Sequence, residues 1–265
     1  MSKAISKAEK RQRPPLWQAL FCADEEPVDK AGMKISRKAV LKVKGALHPY
    51  VSRGGLKLEK ALKQFDIDLN GAVMLDIGAS TGGFTDCALQ NGAASVYAVD
   101  VGYNQLDWSL RNDERVHVME RTNFRYTKME DLNGPRPTFA SIDVSFISLR
   151  IILPPLKEIL LDQGRVVALI KPQFEAGREK VGKSGVVRDP DVHVDVLTTV
   201  LTFAEELGFR LKGLTYSPIT GGEGNIEFLA YWSIDTDGDA SLADASSLKD
   251  LIAGTVKEAQ KLHGK

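Results

Sequence analysis

Apolar residues fall into short runs separated by charged and glycine-rich stretches, and from residue 56 onward helix-like and strand-like runs alternate. Leu58, Leu62 and Phe65 recur at helical spacing within Leu56 to Phe65, with Ser52 placed to cap that helix. Val73-Met74-Leu75 is a compact apolar run meeting Asp76, the mark of a strand buried on both faces. Further strands are predicted at Ser95 to Val99, Val116 to Glu120, Thr138 to Val144 and Arg165 to Ile170. Helical stretches lie between them: Thr85 to Asn91, closed by Gly92, a short one from Gln105 to Leu110, and Ile151 to Leu161, beginning around the proline pair. Ala176 to Asp191 is a Gly- and Lys-rich loop too long for a plain connection, which makes it a candidate lid. A helix over Val192 to Leu207 ends at Gly208. Leu211 to Tyr216 and Glu227 to Trp232 then form an antiparallel hairpin across Gly221-Gly222-Glu223-Gly224-Asn225. This alternation predicts an α/β fold with a Rossmann-like, mostly parallel sheet and an antiparallel final strand.

The two ends read differently. Met1 to about Pro27 has little pattern beyond Leu16 to Phe21, a short apolar turn. Val28 to Lys44 alternates loosely among basic residues, as a hairpin or small β module does, and His48 to Gly55 is a turn-rich linker. Asp235 to Ser247 is an acidic linker, and Leu248, Leu251, Ile252, Val256, Ala259 and Leu262 mark an amphipathic helix suited to dock on the body. The expected organisation is a basic segment over 1–47, an α/β domain over 48–234, and a linker with its helix over 235–265.

Composition narrows the function. Hydrophobic content of 43% and charge of 26% are ordinary for a globular chain. No run approaches the roughly 18 apolar residues of a membrane helix, and the charged N-terminus lacks the apolar stretch of a secretory leader. Cys22 and Cys87 have no metal or redox spacing, which suits a reducing cytoplasm, and the four histidines are scattered, so no metal is expected. The net charge of zero hides an asymmetry: Met1 to Lys63 carries 15 Lys and Arg against 6 Asp and Glu, a net +9. That excess suits either a polyanion partner at this end or a solvated tail.

Candidate chemistry gathers where the strands end. After Asp76 comes a turn containing Gly78, Ser80, Thr81, Gly82 and Gly83. Gly78 and Gly82 are four apart with Ser80 between them, so this is not the dinucleotide G-x-G-x-x-G. An acid ending the strand, followed by G-x-x-x-G-G, suits binding of S-adenosylmethionine (SAM). Asp100 ends the next strand 24 residues on, where a carboxylate accepts both ribose hydroxyls, although a helix-capping aspartate would look the same. Asp143 and Lys171 end later strands, Glu227 begins the last one, and Lys57 can reach the same edge from the preceding helix. Two lysines and two acids form either an ion-pair network or a device for deprotonating a poor acid such as a ribose hydroxyl. A lysine beside another cation and partly desolvated has a depressed pKa and can act as base. Phe146, Phe174 and Trp108 could stack on a flipped base but are expected in the core.

The motifs YVSRGGLKL, LDIGASTGGFTD, AVDVGYNQL, IDVSFISL, LIKPQFEAGREKVGKSGVVRDP and GEGNIEFL together resemble the TlyA family over about Lys44 to Trp232. These are FtsJ-like ribosomal RNA 2′-O-methyltransferases, some of them also called haemolysins. The resemblance implies a catalytic tetrad of Lys57, Asp143, Lys171 and Glu227. In it Lys171 is the base, Asp143 and Glu227 position and polarise, and Lys57 holds the 2′-hydroxyl. It places SAM against Gly78, Ser80, Thr81, Gly82, Gly83 and Asp100, with Asn123 near the adenine, and makes a cytidine ribose in ribosomal RNA or its subunits the expected target. Family members begin with a small RNA-binding domain of two helices and a short sheet; here only Val28 to Lys44 resembles its end, and the helical half is expected to be truncated or replaced. Two rival functions stay open: a cytolytic protein, as the haemolysin name implies, and an RNA-binding module without turnover.

Overall fold

The computed structural model describes residues 20–24, 26–27, 34–44, 48–182, 184–234 and 245–264, and the chain divides into two units, 1–49 and 50–265. In the first unit β1 (Leu20–Ala23), β2 (Glu26–Pro27) and β3 (Leu41–Lys44) form an antiparallel sheet of order β2-β1-β3. Asp24 fixes its edge: its carboxylate accepts the Val40 N–H at 2.9 Å while its own N–H donates to the Val40 carbonyl at 3.1 Å. Of the apolar turn expected at Leu16 to Phe21, Leu20 and Phe21 belong to β1. Residues 16–19, 28–33 of the basic stretch, Lys183 of the candidate lid and 235–244 of the acidic linker lie outside the described residues.

The second unit is built on a seven-stranded sheet of order β6-β5-β4-β7-β8-β10-β9. Its strands are β4 (Val73–Ile77), β5 (Ser95–Val99), β6 (Val116–Met119), β7 (Phe139–Ile142), β8 (Arg165–Ile170), β9 (Phe209–Tyr216) and β10 (Phe228–Ile234). Strands β4 to β8 pair in parallel, with Leu75 opposite Tyr97 on one side and Ala140 on the other. β10 alone runs backwards, inserted between β8 and β9 and antiparallel to both. The short apolar runs are strands because both faces are covered. Met74 points to a core shared with α1 (Gly55–Gln64), α2 (Gly83–Gln90) and α3 (Trp108–Arg111). Leu75 and Ile77 point to the other core, where α4 (Leu149–Ile159), α6 (Pro190–Glu206) and α7 (Ala245–His263) pack. Between α4 and α6 a single turn, α5 (Pro172–Glu175), follows β8.

Several local expectations are corrected. Ser52 does not cap α1 with its side chain; Gly54 is the cap, and the Ser52 backbone carbonyl accepts the Gly55 N–H at 3.2 Å. The proline pair is interior to α4 rather than at its start, which Ser148 caps by accepting the Arg150 N–H. Prolines there deprive the carbonyls four residues back of donors, and those belong to Arg150 and Ile151, both exposed to water. The candidate lid is tied down: Val186 and Val187 are buried, and the Val187 N–H donates to Asn225 Oδ1 at 3.0 Å. On α7, Ile252, Val256 and Ala259 enter the core while Leu262 stays exposed.

Candidate active site

The sheet delivers the candidate residues to one edge. Gly78, Asp100, Asp143 and Lys171 are each the first residue beyond β4, β5, β7 and β8, and Asn123 follows β6. Glu227 immediately precedes β10, whose reversed direction sets Phe228 opposite Ile170, so the start of this strand meets the ends of its neighbours. Non-glycine residues in the left-handed region also collect here: Ser80, Asn104, Arg121 and Phe146 follow β4, β5, β6 and β7. Such conformations cost about 1–3 kcal/mol each and persist where surrounding contacts over-determine them.

Lys57, Asp143, Lys171 and Glu227 converge. Lys57, in the first turn of α1, places Nζ 2.7 Å from Glu227 Oε2 and 3.4 Å from Asp143 Oδ2. Lys171 Nζ lies 2.5 Å from Asp143 Oδ1 and 3.2 Å from Ser145 Oγ. Asp143 thus bridges both lysines, while Glu227 pairs with Lys57 rather than Lys171. Lys57, Lys171 and Glu227 are buried, at 8%, 7% and 3% exposure, so the four charges neutralise one another in a water-poor site. Burial acts to lower the Lys57 pKa, but the two carboxylates outweigh it and hold the lysine above its usual value. Burial likewise acts to raise Asp143, and Lys57 and Lys171 outweigh it to hold the carboxyl below the usual range.

The glycine turn sits beside this cluster. Gly78 has φ 87°, and a Cβ there would lie 2.5 Å from the Asp143 carbonyl oxygen, so the turn and the Asp143 loop touch backbone to backbone. Gly82 has φ 97°, and a Cβ there would strike Leu110 at 2.3 Å; one at Gly83 would meet Ser52 Oγ at 2.3 Å and the Gly55 nitrogen at 2.8 Å. Asp100 is half-exposed, its oxygens accepting the Ser80 and Gly102 N–H groups at 2.8 and 2.7 Å, and the Thr81 carbonyl accepts the Asp107 N–H. Asn123 is exposed and caps a single 3-10 turn through the Arg125 N–H. Asp76 is placed differently from the other candidates. It is fully buried beneath the turn, accepting from Thr85 Oγ1 and Ser141 Oγ at 2.7 Å each, and burial pushes its carboxyl up to about 6.

Three contributors escaped the sequence reading. Ser145 is the second partner of Lys171. Gly221 leaves room for Glu227, since a Cβ there would lie 2.7 Å from Oε1. Glu120 gathers the N–H groups of Asn104, Gln105 and Leu106 together with the Arg111 guanidinium, shaping the loop after Asp100. Burial acts to raise Glu120, but those donors draw it down to about 2. No periodicity marks any of them. The aromatics also differ from expectation: Phe146 is 90% and Trp108 74% exposed, while Phe174 is half-buried with its ring 4.9 Å from that of Phe146.

Residues 50–233 match the family model of the FtsJ-like methyltransferases. This chain belongs to that family. Among FtsJ-like relatives, YqxC of Bacillus subtilis, whose name ties it to rRNA methylation, is 56% identical over 87% of this chain and 82% of its own length. The 16S/23S rRNA (cytidine-2′-O)-methyltransferase TlyA of Mycobacterium tuberculosis is 44% identical over 79% of this chain and 76% of its own. A solved structure from Streptococcus thermophilus, bearing the name hemolysin, shares 50% identity over 98% of this chain and 94% of that one, with a TM-score of 0.79.

Proposed function

We propose that this chain transfers a methyl group from SAM to the 2′-hydroxyl of a ribose, that of a cytidine, in ribosomal RNA. The observation that carries the reading is the Lys57–Asp143–Lys171–Glu227 cluster, gathered beside the glycine turn at the sheet edge. The names of the TlyA relatives support the substrate. The residues fit SAM: Gly78, Gly82 and Gly83 draw the turn close against neighbouring backbone and side chains, Ser80 and Thr81 lie on the same turn, and Asp100 keeps acceptor capacity for ribose hydroxyls. Asn123 is the exposed amide for the adenine edge, and Asp76 supports the turn from below.

When bound, SAM supplies an electrophilic sulfonium methyl, whose C–S bond breaks with its electron pair kept by sulfur as the new C–O bond forms. Lys171, once its ammonium has released a proton to solvent, takes the 2′-hydroxyl proton on the free amine, with Asp143 and Ser145 fixing its nitrogen. Lys57, held by Glu227, stabilises the negative charge developing on the attacking oxygen. Phe146 and Phe174 offer a stacking platform to an unpaired base. Residues 1–47 serve as a basic RNA-docking segment, 48–234 as the methyltransferase domain, and the helix of 235–265 as its brace. The cytoplasm is the place of action, and no helix among the described residues is long and apolar enough to cross a membrane.

The test is transfer of labelled methyl from SAM to ribosomal subunits and purified rRNA from a strain lacking this protein, with the product mapped. A ribose 2′-O-methyl that vanishes in Lys171→Ala, with SAM binding kept, is the expected result. SAM binding without transfer would favour an RNA-binding module, and cell lysis without transfer a cytolytic protein.

A further inference from the structure

We propose that Glu175 is a positioning residue: it holds loop 144–148 in register with the end of β8, so that Asp143, Ser145 and Phe146 meet Lys171 and Phe174 in one arrangement. The proposal rests on the methyl-transfer reading. Segments 143–149 and 171–175 leave neighbouring parallel strands and would otherwise be separate loops. The first carries Asp143 and Ser145, both on Lys171 Nζ, and Phe146, whose ring meets Phe174. Val144 and Ile147 rest against the core, while Ser145 and Phe146 are exposed. Phe146 is almost wholly exposed and has φ 63°, a conformation that a bulky residue does not adopt by preference.

Glu175 supplies a polar tie at the far end of the loop. From the end of α5 its Oε2 accepts the Ser148 hydroxyl at 2.6 Å and its Oε1 accepts the Leu149 N–H at 2.7 Å. The second bond takes up one of the free N–H groups in the first turn of α4. Both are charge-assisted, the stronger class of hydrogen bond. One side chain thus fixes the far end of the loop whose near end is fixed by Asp143 on Lys171. Because α5 begins directly after Lys171, any slip between the two segments moves the lysine relative to Asp143 and the aromatic pair together.

The experiment compares Glu175→Ala and Glu175→Gln in the full chain by hydrogen exchange, SAM affinity, melting temperature and methyl transfer to rRNA. Glu175→Ala should speed exchange of the Leu149 amide and of loop 144–148, and raise the RNA KM about tenfold, with SAM affinity within about twofold of wild type. Glu175→Gln should restore slow exchange and bring the KM to within about threefold of wild type, since its amide can accept from Leu149 and donate to Ser148. Unchanged exchange in Glu175→Ala would overturn the proposal. So would equal damage in both variants, or parallel loss of SAM binding and melting temperature that marks a general folding role. Exchange needs no turnover, so wild-type protein without transfer would strike the functional reading and leave the tie measurable.

Discussion

Gly221 is needed for the room it leaves rather than for a turn it makes. A methyl group there would press on Glu227 Oε1 and shift the carboxylate off Lys57. Gly221→Ala should therefore lower kcat by about 10- to 100-fold with SAM affinity unchanged, read by steady-state kinetics and calorimetry. Asp76 makes a different kind of prediction. Its carboxyl is raised to about 6 in the fold, so the folded state holds a proton that the unfolded chain releases near pH 4. Its contribution to stability is full below pH 4, declines as pH rises through about 6, and amounts to a cost of roughly 3 kcal/mol at neutrality. Urea melts of Asp76→Asn from pH 4 to 7 should lack that decline. Lys57 and Asp143 act in the opposite sense across the middle of the range. Their mutual support is present at neutrality, lost only as pH falls below about 4 through the Asp143 pKa or rises above about 10.5 through that of Lys57. That these four side chains meet was legible in the sequence because three of them abut apolar runs that announce strands. Ser145, Glu175 and Gly221 were not, because they act through loop contacts that carry no period.

The seven strands of the main sheet follow from their apolar runs, and what the runs cannot show is order, since neighbours in the sheet are chosen by crossover chirality and helix packing rather than by local pattern. Helix starts were less legible than helix bodies. Ser52 and Pro154-Pro155 are strong local signals, yet backbone geometry assigned the cap to Gly54 and packing of Leu149, Ile152, Leu153, Leu156 and Ile159 carried α4 across both prolines. Tertiary burial outweighed propensity there. The helix α7 shows what such burial contributes. Ile252 is 1% exposed in the core that α7 shares with α6 and β9. Ile252→Ala should cost about 2–5 kcal/mol in chemical denaturation while leaving the SAM affinity of the folded fraction unchanged.

Charge is distributed over the chain as unevenly as chemistry is concentrated in it. With 11 Lys and Arg against 5 Asp and Glu before residue 50, a net +6, the first unit should supply much of any phosphate contact. A variant lacking residues 1–47 should keep SAM affinity, bind rRNA more weakly, and show a shallower dependence of affinity on salt, measured between about 50 and 200 mM. Connectivity has a consequence of its own. The Lys57–Glu227 bond joins positions 170 apart, and Glu227 arrives on the strand that covers the open edge of β8. While the chain is still emerging from the ribosome, Lys57, Asp143 and Lys171 precede their fourth member by many residues. During that interval two lysines share one carboxylate and an apolar strand lacks a neighbour. The same stretch, 227–234, brings the last charge of the cluster and the cover of β8 together.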